Sequence, residues 1–362
     1  MLLSKHHYAL ELARKGNKVF FLNPPRQSGM RFAASVTPSD SQPDLFIVDH
    51  SLGFPYILKF RAKWLFDLLV KHHVRKLLRR LNLTPQIIWS FDIGNLYPLV
   101  CFPDEAYKIF HPVDEPNSEE AIKAAKGSDI IFSVTKEILE KYRSYPAPKH
   151  FIQHGISQDF LDASGKSATP GTSPARVGFS GNLLRPDIDR KVFLQIVKSH
   201  PQQSFECFGS FDERQSNIGG SASKSQVEFI RELRALPNVN LHGVLPAAML
   251  PHAYADIDVW LICYDVKTDQ SKGTNYHKIM EFLSTGKVIV SNNVSAYEKD
   301  PMLVTMVNSR EHNRELPGLF SEVMNSLHKY NSEELKSYRR EFAASNSYPK
   351  QVGRIEALIE QQ

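Results

Sequence analysis

Hydrophobic residues follow two spacings along this chain of 362 residues, a helical spacing of three or four and short unbroken runs. Ser4 to Lys15 has the helical spacing and is ended by Gly16, and Val19 to Leu22 forms an unbroken run. Further strand-like runs in the first half lie at 87–91, 107–111, 130–134 and 150–153, with helical segments at 118–126 and 136–142 between them. Alternating strands and helices predict a parallel sheet with helices on both faces.

The second half of the chain shows the same alternation. Its strand-like runs lie at 176–180, 205–209, 257–264 and 288–290, and its helical segments at about 188–199, 249–254, 276–284, 315–329, 333–344 and 351–360. Between the halves, residues 162–175 are rich in Ser, Gly, Ala, Thr and Pro and have no apolar period, which is typical of a linker. We therefore predict one α/β domain over 1–161 and another over 176–345.

The stretch 273–291 combines several features of a ligand site. Its centre, 276–284, has helical spacing, and Gly286 follows as a helix C-cap. The run 288–290 is short and β-branched, so it is predicted to be a buried parallel strand. A loop that leads into the first turn of a helix offers unpaired backbone N–H groups and the positive end of the helix dipole, which together favour an anion.

Two charged side chains on this helix suggest which anion would bind. Lys278 lies in the first turn, where a positive charge is unfavourable for helix stability alone, so a phosphate partner explains it better. Glu281 follows three residues later on nearly the same face, where a carboxylate can accept two vicinal hydroxyls of a ribose. The alternative is an exposed ion pair between the two side chains, which would contribute little to stability. The spacing alone leaves both interpretations open.

This stretch resembles the nucleotide-sugar site of GT-B glycosyltransferases, near glycosyltransferase family 4 and the teichuronic-acid and xanthan glucuronosyltransferase type. In that group a helix of the pattern K-x-x-E-[FY]-L-[AS]-x-G-K-x-V-[VI] holds the donor nucleotide. The matching residues here are Lys278, Glu281, Phe282, Leu283, Ser284, Gly286, Lys287, Val288 and Ile289. The resemblance implies two Rossmann-like domains facing across a cleft, with 346–362 as a helix that crosses back onto the N-terminal domain.

The resemblance also implies a set of donor-binding residues. They are Gly181, Asn182, Gly209, Val244, Leu245, Tyr276, His277, Lys278 and Glu281. Two departures from the family pattern stand out. Family 4 enzymes place an acidic residue eight positions before this glutamate, where the chain has Gly273. They also place an arginine and a lysine after the first strand of the second domain, where the chain has Asn182 and Asp187, with Arg185 off register.

For the acceptor side, the loop after the run 107–111 carries the candidate residues. It resembles the Y-x-x-x-D-E loop of the same group, in which the aspartate faces the cleft. The resemblance implies Asp114 as the general base or acceptor-positioning group, with His111 and Glu115 as the next candidates. An Asp-Glu pair after a proline is also ordinary turn chemistry.

The N-terminal domain begins unusually, because the first predicted element is a helix. A Rossmann-like half normally begins with a strand and a glycine-rich turn, and neither precedes Ser4. Either the first strand is missing, through a late start or a truncation, or the domain is a variant. The sheet should then have an unpaired position where that strand would lie. His6 and His7 would face the cleft at this point or lie on the helix surface.

Residues 56–81 form a long helical pattern that carries a strong positive charge. Its basic residues are Lys59, Arg61, Lys63, Lys71, Arg75, Lys76, Arg79 and Arg80, against one acidic residue, Asp67. A basic amphipathic helix that begins with Trp and Phe can lie in the headgroup region of an anionic membrane. The alternative is a core helix with a solvated basic face, and the two interpretations can hold for different ends of the segment.

Composition limits the class of protein. Net charge is +5, which permits an acidic substrate or a membrane surface and does not indicate nucleic acid. The three cysteines are far apart, so neither a disulfide framework nor a zinc site is indicated, and cytoplasmic residence is the expectation. Nothing calls for a metal ion or an organic cofactor. The resemblance to GT-B glycosyltransferases implies a metal-independent hexosyltransferase of cell-surface polysaccharide biosynthesis. Its donor would be a UDP- or GDP-sugar and its acceptor a glycan or a lipid-linked glycan.

Two other functions fit the same sequence. One is a GT-B-shaped nucleotide-sugar 2-epimerase, which would need further acidic and histidine residues in the cleft. The other is a non-catalytic assembly or membrane-binding protein, which the missing first strand, Gly273 and the absent arginine and lysine pair favour.

Overall fold

The computed structural model describes residues 3–26, 31–165, 174–212, 222–269 and 271–362. These residues form two compact units. The N-terminal unit comprises Leu2–Gln153 and Tyr348–Gln362, and the C-terminal unit comprises His154–Ser347. Among the described residues, no helix is both long enough and apolar enough to cross a membrane.

The N-terminal unit contains two separate sheets. Its elements up to residue 153 are α1 (Ser4–Arg14), β1 (Val19–Leu22), β2 (Ala33–Ser39), β3 (Gln42–Ser51), α2 (Leu58–Arg61), α3 (Lys63–Leu81), β4 (Ile87–Ser90), β5 (Tyr107–Phe110), α4 (Glu119–Lys123), β6 (Ile130–Ser133), α5 (Lys136–Lys141) and β7 (Lys149–Phe151). One sheet has the order β1-β3-β2, with β1 parallel and β2 antiparallel to β3. The other is fully parallel, in the order β4-β5-β6-β7.

Two open strand edges mark the place where a single sheet would continue. β1 and β4 each pair along one edge only among the described strands. Both are apolar runs without the charges or prolines that protect ordinary edge strands. Helix α1 packs on both sheets, because Tyr8 lies 5.0 Å from Trp89 of β4 while Ala13 is buried beside Leu45 of β3. Open edges at β1 and β4 are compatible with the predicted unpaired position, and because every open sheet has two edges the absence of a first strand stays a prediction.

The hairpin of β2 and β3 did not emerge from the sequence pattern. Pro38 and Pro43 interrupt its two strands, and proline normally argues against a strand interior. β2 is the edge of its sheet, which is where a proline is tolerated in a strand. Pairing with β3 decided the structure here, which local propensity does not reveal.

His6 and His7 pack within the N-terminal unit. The ring of His6 lies 5.0 Å from that of Phe21, and its Nδ1 accepts a hydrogen bond of 2.9 Å from the Leu3 N–H. The ring of His7 stacks on Tyr348 at 4.5 Å. These contacts agree with the second interpretation above, that the two histidines are structural residues of the helix surface.

The single helix predicted over 56–81 is interrupted. Ala62 has φ −148° and ψ 65°, which are not helical angles, and it separates α2 from α3. Asn82 then ends α3 in the left-handed conformation. No glycine or proline lies at the break, so the spacing of residues does not predict it.

The C-terminal unit is built on one parallel sheet of six strands in the order β10-β9-β8-β11-β12-β13. Its elements are α6 (Gln158–Ala163), β8 (Arg176–Ser180), α7 (Arg190–Ser199), β9 (Ser204–Phe208), α8 (Lys224–Ala235), β10 (Val239–Gly243), α9 (Leu250–Ala255), β11 (Val259–Ile262), α10 (Lys278–Thr285), β12 (Val288–Ser291), β13 (Thr305–Met306), α11 (Leu316–Asn325), α12 (Leu327–Tyr330) and α13 (Glu333–Ser345). The last helix, α14 (Tyr348–Glu360), belongs to the N-terminal unit. The predicted helix over 276–284 and strand over 288–290 are α10 and β12.

The strand order of this sheet reverses at β8. β9 lies on one side of β8 and β11 on the other, so the chain runs outward in both directions from this point. In open α/β sheets, ligands bind outside the carboxyl ends of the strands at such a switch point. The loops after β8 and β11, together with the start of α10, therefore define where a ligand site is expected.

The core beneath α10 explains why residue 178 is a glycine. Phe282 stacks on Trp260 with ring centroids 4.0 Å apart. A Cβ at Gly178 of β8 would lie 2.5 Å from the Trp260 ring. Gly178 is therefore needed to make room for tryptophan in the core.

The boundary between the units falls at Gln153 and His154, earlier than the predicted end of the first domain at residue 161. Helix α6 belongs to the C-terminal unit because the ring of Phe160 lies 5.6 Å from that of Tyr254. Of the linker predicted over 162–175, residues 166–173 lie outside the described residues.

Candidate functional site

Three glycine-containing loops meet at the carboxyl ends of β8, β9 and β10. The Gly181 N–H donates to the Phe208 carbonyl oxygen at 2.8 Å, and the Gly209 N–H donates to the Gly243 carbonyl oxygen at 2.8 Å. Gly209 has φ +133°, and a Cβ there would lie 2.0 Å from the Gly181 carbonyl oxygen. Only glycine at position 209 permits the two loops to lie this close together. Because glycine has no side chain, the backbone at this position stays uncovered.

The first turn of α10 brings a lysine to the end of β8. Lys278 Nζ donates to Ser180 Oγ at 2.9 Å, and Ser180 is the last residue of β8. The buried Tyr254 hydroxyl donates to the same Ser180 oxygen. Burial raises the pKa of Tyr254 well above its ordinary value, so this hydroxyl stays neutral and remains a donor. Ser180 and Tyr254 thus hold the ammonium group of Lys278 at the switch point of the sheet.

Glu281 is a buried carboxylate whose acceptor capacity is only partly used. Its Oε2 is buried and forms no hydrogen bond with any described residue. Lys278 Nζ lies 3.9 Å from this oxygen, beyond hydrogen-bond distance, and His277 Nδ1 lies 3.7 Å from Oε1. Burial raises the pKa of Glu281, and the charge of Lys278 opposes this rise. Such a group is costly unless a ligand supplies the missing donors.

The residue before α10 adds an imidazole to the same place. The His277 ring meets the His154 ring edge to face at 5.4 Å. Burial, and to a smaller extent the charge of Lys278, lowers the pKa of His277 to about 4. His277 is therefore neutral at neutral pH and contributes hydrogen-bonding capacity without charge.

A buried charged network holds the loop that leads into α10. Asp269 accepts hydrogen bonds from the Gly273 N–H at 2.9 Å and from the Tyr276 hydroxyl at 2.8 Å. Arg185 forms a two-pronged ion pair with Asp187 and lies 3.5 Å from Asp269. Arg185 is paired with these two carboxylates, so its charge is not available as a second cation for binding a diphosphate. The Tyr276 side chain is likewise directed at Asp269.

The position of the missing acidic residue cannot carry a side chain. Gly273 has φ +63°, and a Cβ there would lie 2.7 Å from the Asn293 carbonyl oxygen. An acidic residue at this position would therefore require a change in the backbone as well as in the side chain.

The remaining donor-side residues occupy the rim of these loops. Asn182 Oδ1 accepts a hydrogen bond of 2.9 Å from the Leu184 N–H, which shapes the loop after β8. Val244 is exposed, whereas Leu245 is half-buried and packs against the core of the unit. Val244 directly follows Gly243, whose carbonyl oxygen accepts from Gly209. The structure thus brings all the predicted donor residues to the loops and the helix start at one end of the sheet.

No family model matches this sequence, and no curated protein matches it. Solved structures do resemble this chain. A sucrose-phosphate synthase from Thermosynechococcus elongatus matches with TM-score 0.70 and 12% identity, over 99% of this chain and 92% of that chain. The chain has the GT-B fold. Anabaena HepE in complex with UDP and glucose matches with TM-score 0.59 and 12% identity, over 96% and 100% of the two chains. Pneumococcal O-GlcNAc transferase GtfA in complex with UDP and GlcNAc matches with TM-score 0.56 and 16% identity, over 80% and 60%.

These matches agree with the predicted α/β architecture of two Rossmann-like domains. At such identities they establish the GT-B fold and leave the narrower resemblance to glycosyltransferase family 4 as a prediction. The mixed sheet β1-β3-β2 and the separate sheet β4-β5-β6-β7 are the form this fold takes in the N-terminal unit.

In the N-terminal unit, the three acceptor-side candidates have different surroundings. His111 is fully buried between aromatic rings, including Trp89 at 5.9 Å and Phe91 at 5.0 Å. Burial lowers its pKa to about 3, so His111 is a neutral residue of the core and is not proposed to take part in the reaction. Glu115 is buried and paired with Lys141. Asp114 is exposed in the loop after β5, which leaves it as the acceptor-side candidate.

Sequence reasoning missed the residues that position Lys278. Ser180 ends a strand and precedes Gly181, so its place at the carboxyl edge of the sheet was available from the pattern. Tyr254 carries no such signal, because only the packing of α9 on the core brings its hydroxyl to Ser180.

We expect Glu281→Gln to stabilise the ligand-free protein at pH 7. The pKa of Glu281 is raised on folding, so its charged form weakens the folded state. This cost is absent at low pH and grows as pH rises from the ordinary carboxyl pKa to the raised one. Glutamine keeps polar atoms at this position but removes the buried charge, and we expect this to contribute about 1 kcal/mol, which corresponds to roughly 2–4 °C in Tm.

Thermal melting across the acid range checks this expectation. The exposed Glu298→Gln on the same unit serves as the control and should leave Tm unchanged. A Glu281→Gln protein that melts below the parent at pH 7 would show that the carboxylate is already satisfied.

Proposed function

We propose that the chain is a glycosyltransferase of the hexosyltransferase type. It moves a sugar from a nucleotide-diphosphate donor, bound to the C-terminal unit, to a glycan or lipid-linked acceptor in the cytoplasmic steps of cell-surface polysaccharide biosynthesis. The observation that carries the proposal is the partly unsatisfied, buried carboxylate of Glu281 beside Lys278 at the switch point of the sheet. The GT-B fold supports the same class of reaction without identifying the sugar.

Each half of the donor has a chemically matched partner in this arrangement. Glu281 accepts hydrogen bonds from the two ribose hydroxyls, which would supply the donors that its Oε2 lacks. Lys278 binds the diphosphate at the N-terminal end of α10, where the helix dipole favours negative charge. The glycine loops at Gly181 and Gly209 allow a close backbone approach. UDP is present in the HepE and GtfA complexes, which makes a UDP-sugar the first donor to test.

The proposed reaction is a displacement at the anomeric carbon. The acceptor oxygen forms a bond to this carbon, and the bond from the carbon to the diphosphate oxygen breaks. The leaving nucleoside diphosphate takes that electron pair, and a general base takes the acceptor proton. Lys278 and the start of α10 stabilise the charge that grows on the diphosphate, so the reaction is proposed to need no metal ion.

Binding of nucleotides to the purified chain tests the donor site. Thermal melting with UDP, GDP, ADP, dTDP and CMP, in the presence of EDTA, should show a rise in Tm with one diphosphate, because a ligand that binds only the folded state stabilises it. The rise should be lost in Glu281→Gln. A folded sample that responds to none of these nucleotides would contradict the proposal.

Asp114 is proposed as the general base of the acceptor side. Asp114→Ala should then lower turnover about 100-fold or more while leaving the nucleotide shift intact, because general bases contribute about 10²–10⁴ in rate. Glu119→Ala, an exposed carboxylate on nearby α4, is the control. Unchanged sugar transfer by Asp114→Ala would reject this role.

One alternative function is favoured by two observations. Gly273 cannot carry the family's acidic residue, and Arg185 is paired with Asp187. Both would suit a GT-B protein that binds a nucleotide or a polysaccharide-assembly partner without catalysis. A clear nucleotide shift combined with no turnover on any donor and acceptor would favour this alternative.

A further inference from the structure

Four large apolar side chains at the start of α2 and α3 are exposed to solvent. The fractional exposures are 50% for Ile57, 71% for Phe60, 74% for Trp64 and 62% for Leu68. We call these four residues the apolar ridge. Burying a side chain of this size contributes about 1.5–3 kcal/mol, so exposing several together is costly unless a partner covers them.

The ridge is the outer side of a helix whose inner side is already satisfied. Phe66, Val70 and Val74 of α3 are almost completely buried in the N-terminal unit. Trp64 and Leu68 are four residues apart and therefore lie on one face, roughly opposite these buried residues. The ridge is thus not part of the core that α3 forms with its own unit.

The stripe that begins with Trp64 and Leu68 becomes basic in the later turns of α3. Lys71, Arg75 and Arg79 follow at spacings of three and four, and all three are exposed. None of them forms an ion pair with a carboxylate of the described residues. The single acidic residue of the helix, Asp67, is already paired with Lys63. This helix surface therefore offers apolar and aromatic groups at one end and unpaired positive charge at the other.

This combination identifies the chemistry of the partner. Aromatic and aliphatic side chains enter the boundary between headgroups and acyl chains, and lysine and arginine bind anionic headgroups. Each basic side chain near an anionic lipid surface contributes about 1 kcal/mol of attraction. A protein partner would have to present both an apolar pocket and several carboxylates in the matching order, whereas an anionic bilayer supplies both along its whole surface.

We propose that α2 and α3 dock the N-terminal unit on an anionic membrane surface. Phe60, Trp64 and Leu68 insert among the headgroups, and Lys71 and Arg75 contact lipid phosphates. The inference is independent of the sugar-transfer proposal, because docking requires neither donor nor acceptor.

Trp64 is a built-in reporter for the test. Trp260 is fully buried and Trp89 packs inside the N-terminal unit, so Trp64 is the tryptophan exposed to solvent. The full chain is mixed with phosphatidylcholine vesicles that contain or lack phosphatidylglycerol. We expect a blue shift of tryptophan emission and co-sedimentation with the anionic vesicles only, both weakened by salt.

Two variants and two controls test which side chains carry the binding. Phe60→Ser with Trp64→Ser removes the apolar part, and Lys71→Glu with Arg75→Glu reverses the charge. Each pair should lower the vesicle partition coefficient about 10-fold or more. Val227→Ser and Lys191→Glu alter exposed residues of the C-terminal unit and should leave it unchanged.

Absence of binding to anionic vesicles, or equal losses in the controls, would overturn the proposal, even if another protein were found to bind this surface. Because all substituted side chains of the ridge are exposed, the variants should melt like the parent protein, and this is measured alongside the partition coefficient.

Discussion

Replacing Lys278 with alanine should lower sugar transfer about 10²–10³-fold, which is the cost of removing one donor to developing negative charge in other enzymes. Lys278 Nζ is held 2.9 Å from Ser180 Oγ at the carboxyl end of β8 and is the cation of this site, since Arg185 is paired with Asp187. The diphosphate is negatively charged in the donor, and its negative charge increases as it leaves. Part of the loss should therefore appear as weaker UDP binding and part as a lower kcat.

The measurement compares kcat, KM and the nucleotide-induced rise in Tm for the parent and Lys278→Ala. Lys191→Ala, which removes an exposed lysine from α7 of the same unit, is the matched control and should behave like the parent. If Lys278→Ala retains full turnover and a full nucleotide shift, Lys278 does not bind the diphosphate and the proposed role is wrong.

The region around Lys278 was the part of the structure that the sequence predicted best. The helix, the Gly286 cap and the buried strand β12 follow from short-range rules of spacing and capping, and all are present. Local rules determine the helix and its cap because their hydrogen bonds close within a few residues. The strand β12 is recognised by its short β-branched run, although its partner strand β11 is distant in the chain.

Features that depend on distant residues could not be predicted in the same way. The β2 and β3 hairpin forms despite two prolines, and the break at Ala62 has no local signal. The contact of Tyr254 with Ser180 joins residues that are 74 positions apart. Such pairings depend on tertiary packing, which overrides propensity and leaves no trace in the spacing of hydrophobic residues.

Packing also changed the meaning of individual residues. His111 follows a strand in a loop that resembles a catalytic motif, yet the structure surrounds it with Trp89, Phe91 and Tyr8. Gly178 precedes a glycine loop, yet it is glycine because of Trp260. A motif locates a residue along the chain, whereas its role depends on which way the side chain points.

Replacing Gly209 with alanine should give the largest loss of stability among the substitutions considered. A Cβ at this position would lie 2.0 Å from the Gly181 carbonyl oxygen, and the backbone has φ +133°, a conformation that side chains disfavour. Backbone strain of about 1–3 kcal/mol adds to an overpacking cost of about 1–3 kcal/mol. We therefore expect a fall in Tm of several degrees, together with weaker nucleotide binding, since the loops after β8 and β9 must separate.

Gly318→Ala provides the opposite case in the same unit. Gly318 lies in α11, has nothing within 4 Å of its would-be Cβ and does not have a positive φ. Alanine there should stabilise the helix by up to about 1 kcal/mol, because glycine is the poorer helix former. Thermal melting of the two variants side by side separates the effect of the glycine loop from a general effect of glycine replacement. If the Tm of Gly209→Ala were as high as that of Gly318→Ala, the idea that the loops after β8 and β9 lie too close together to admit a side chain would be wrong.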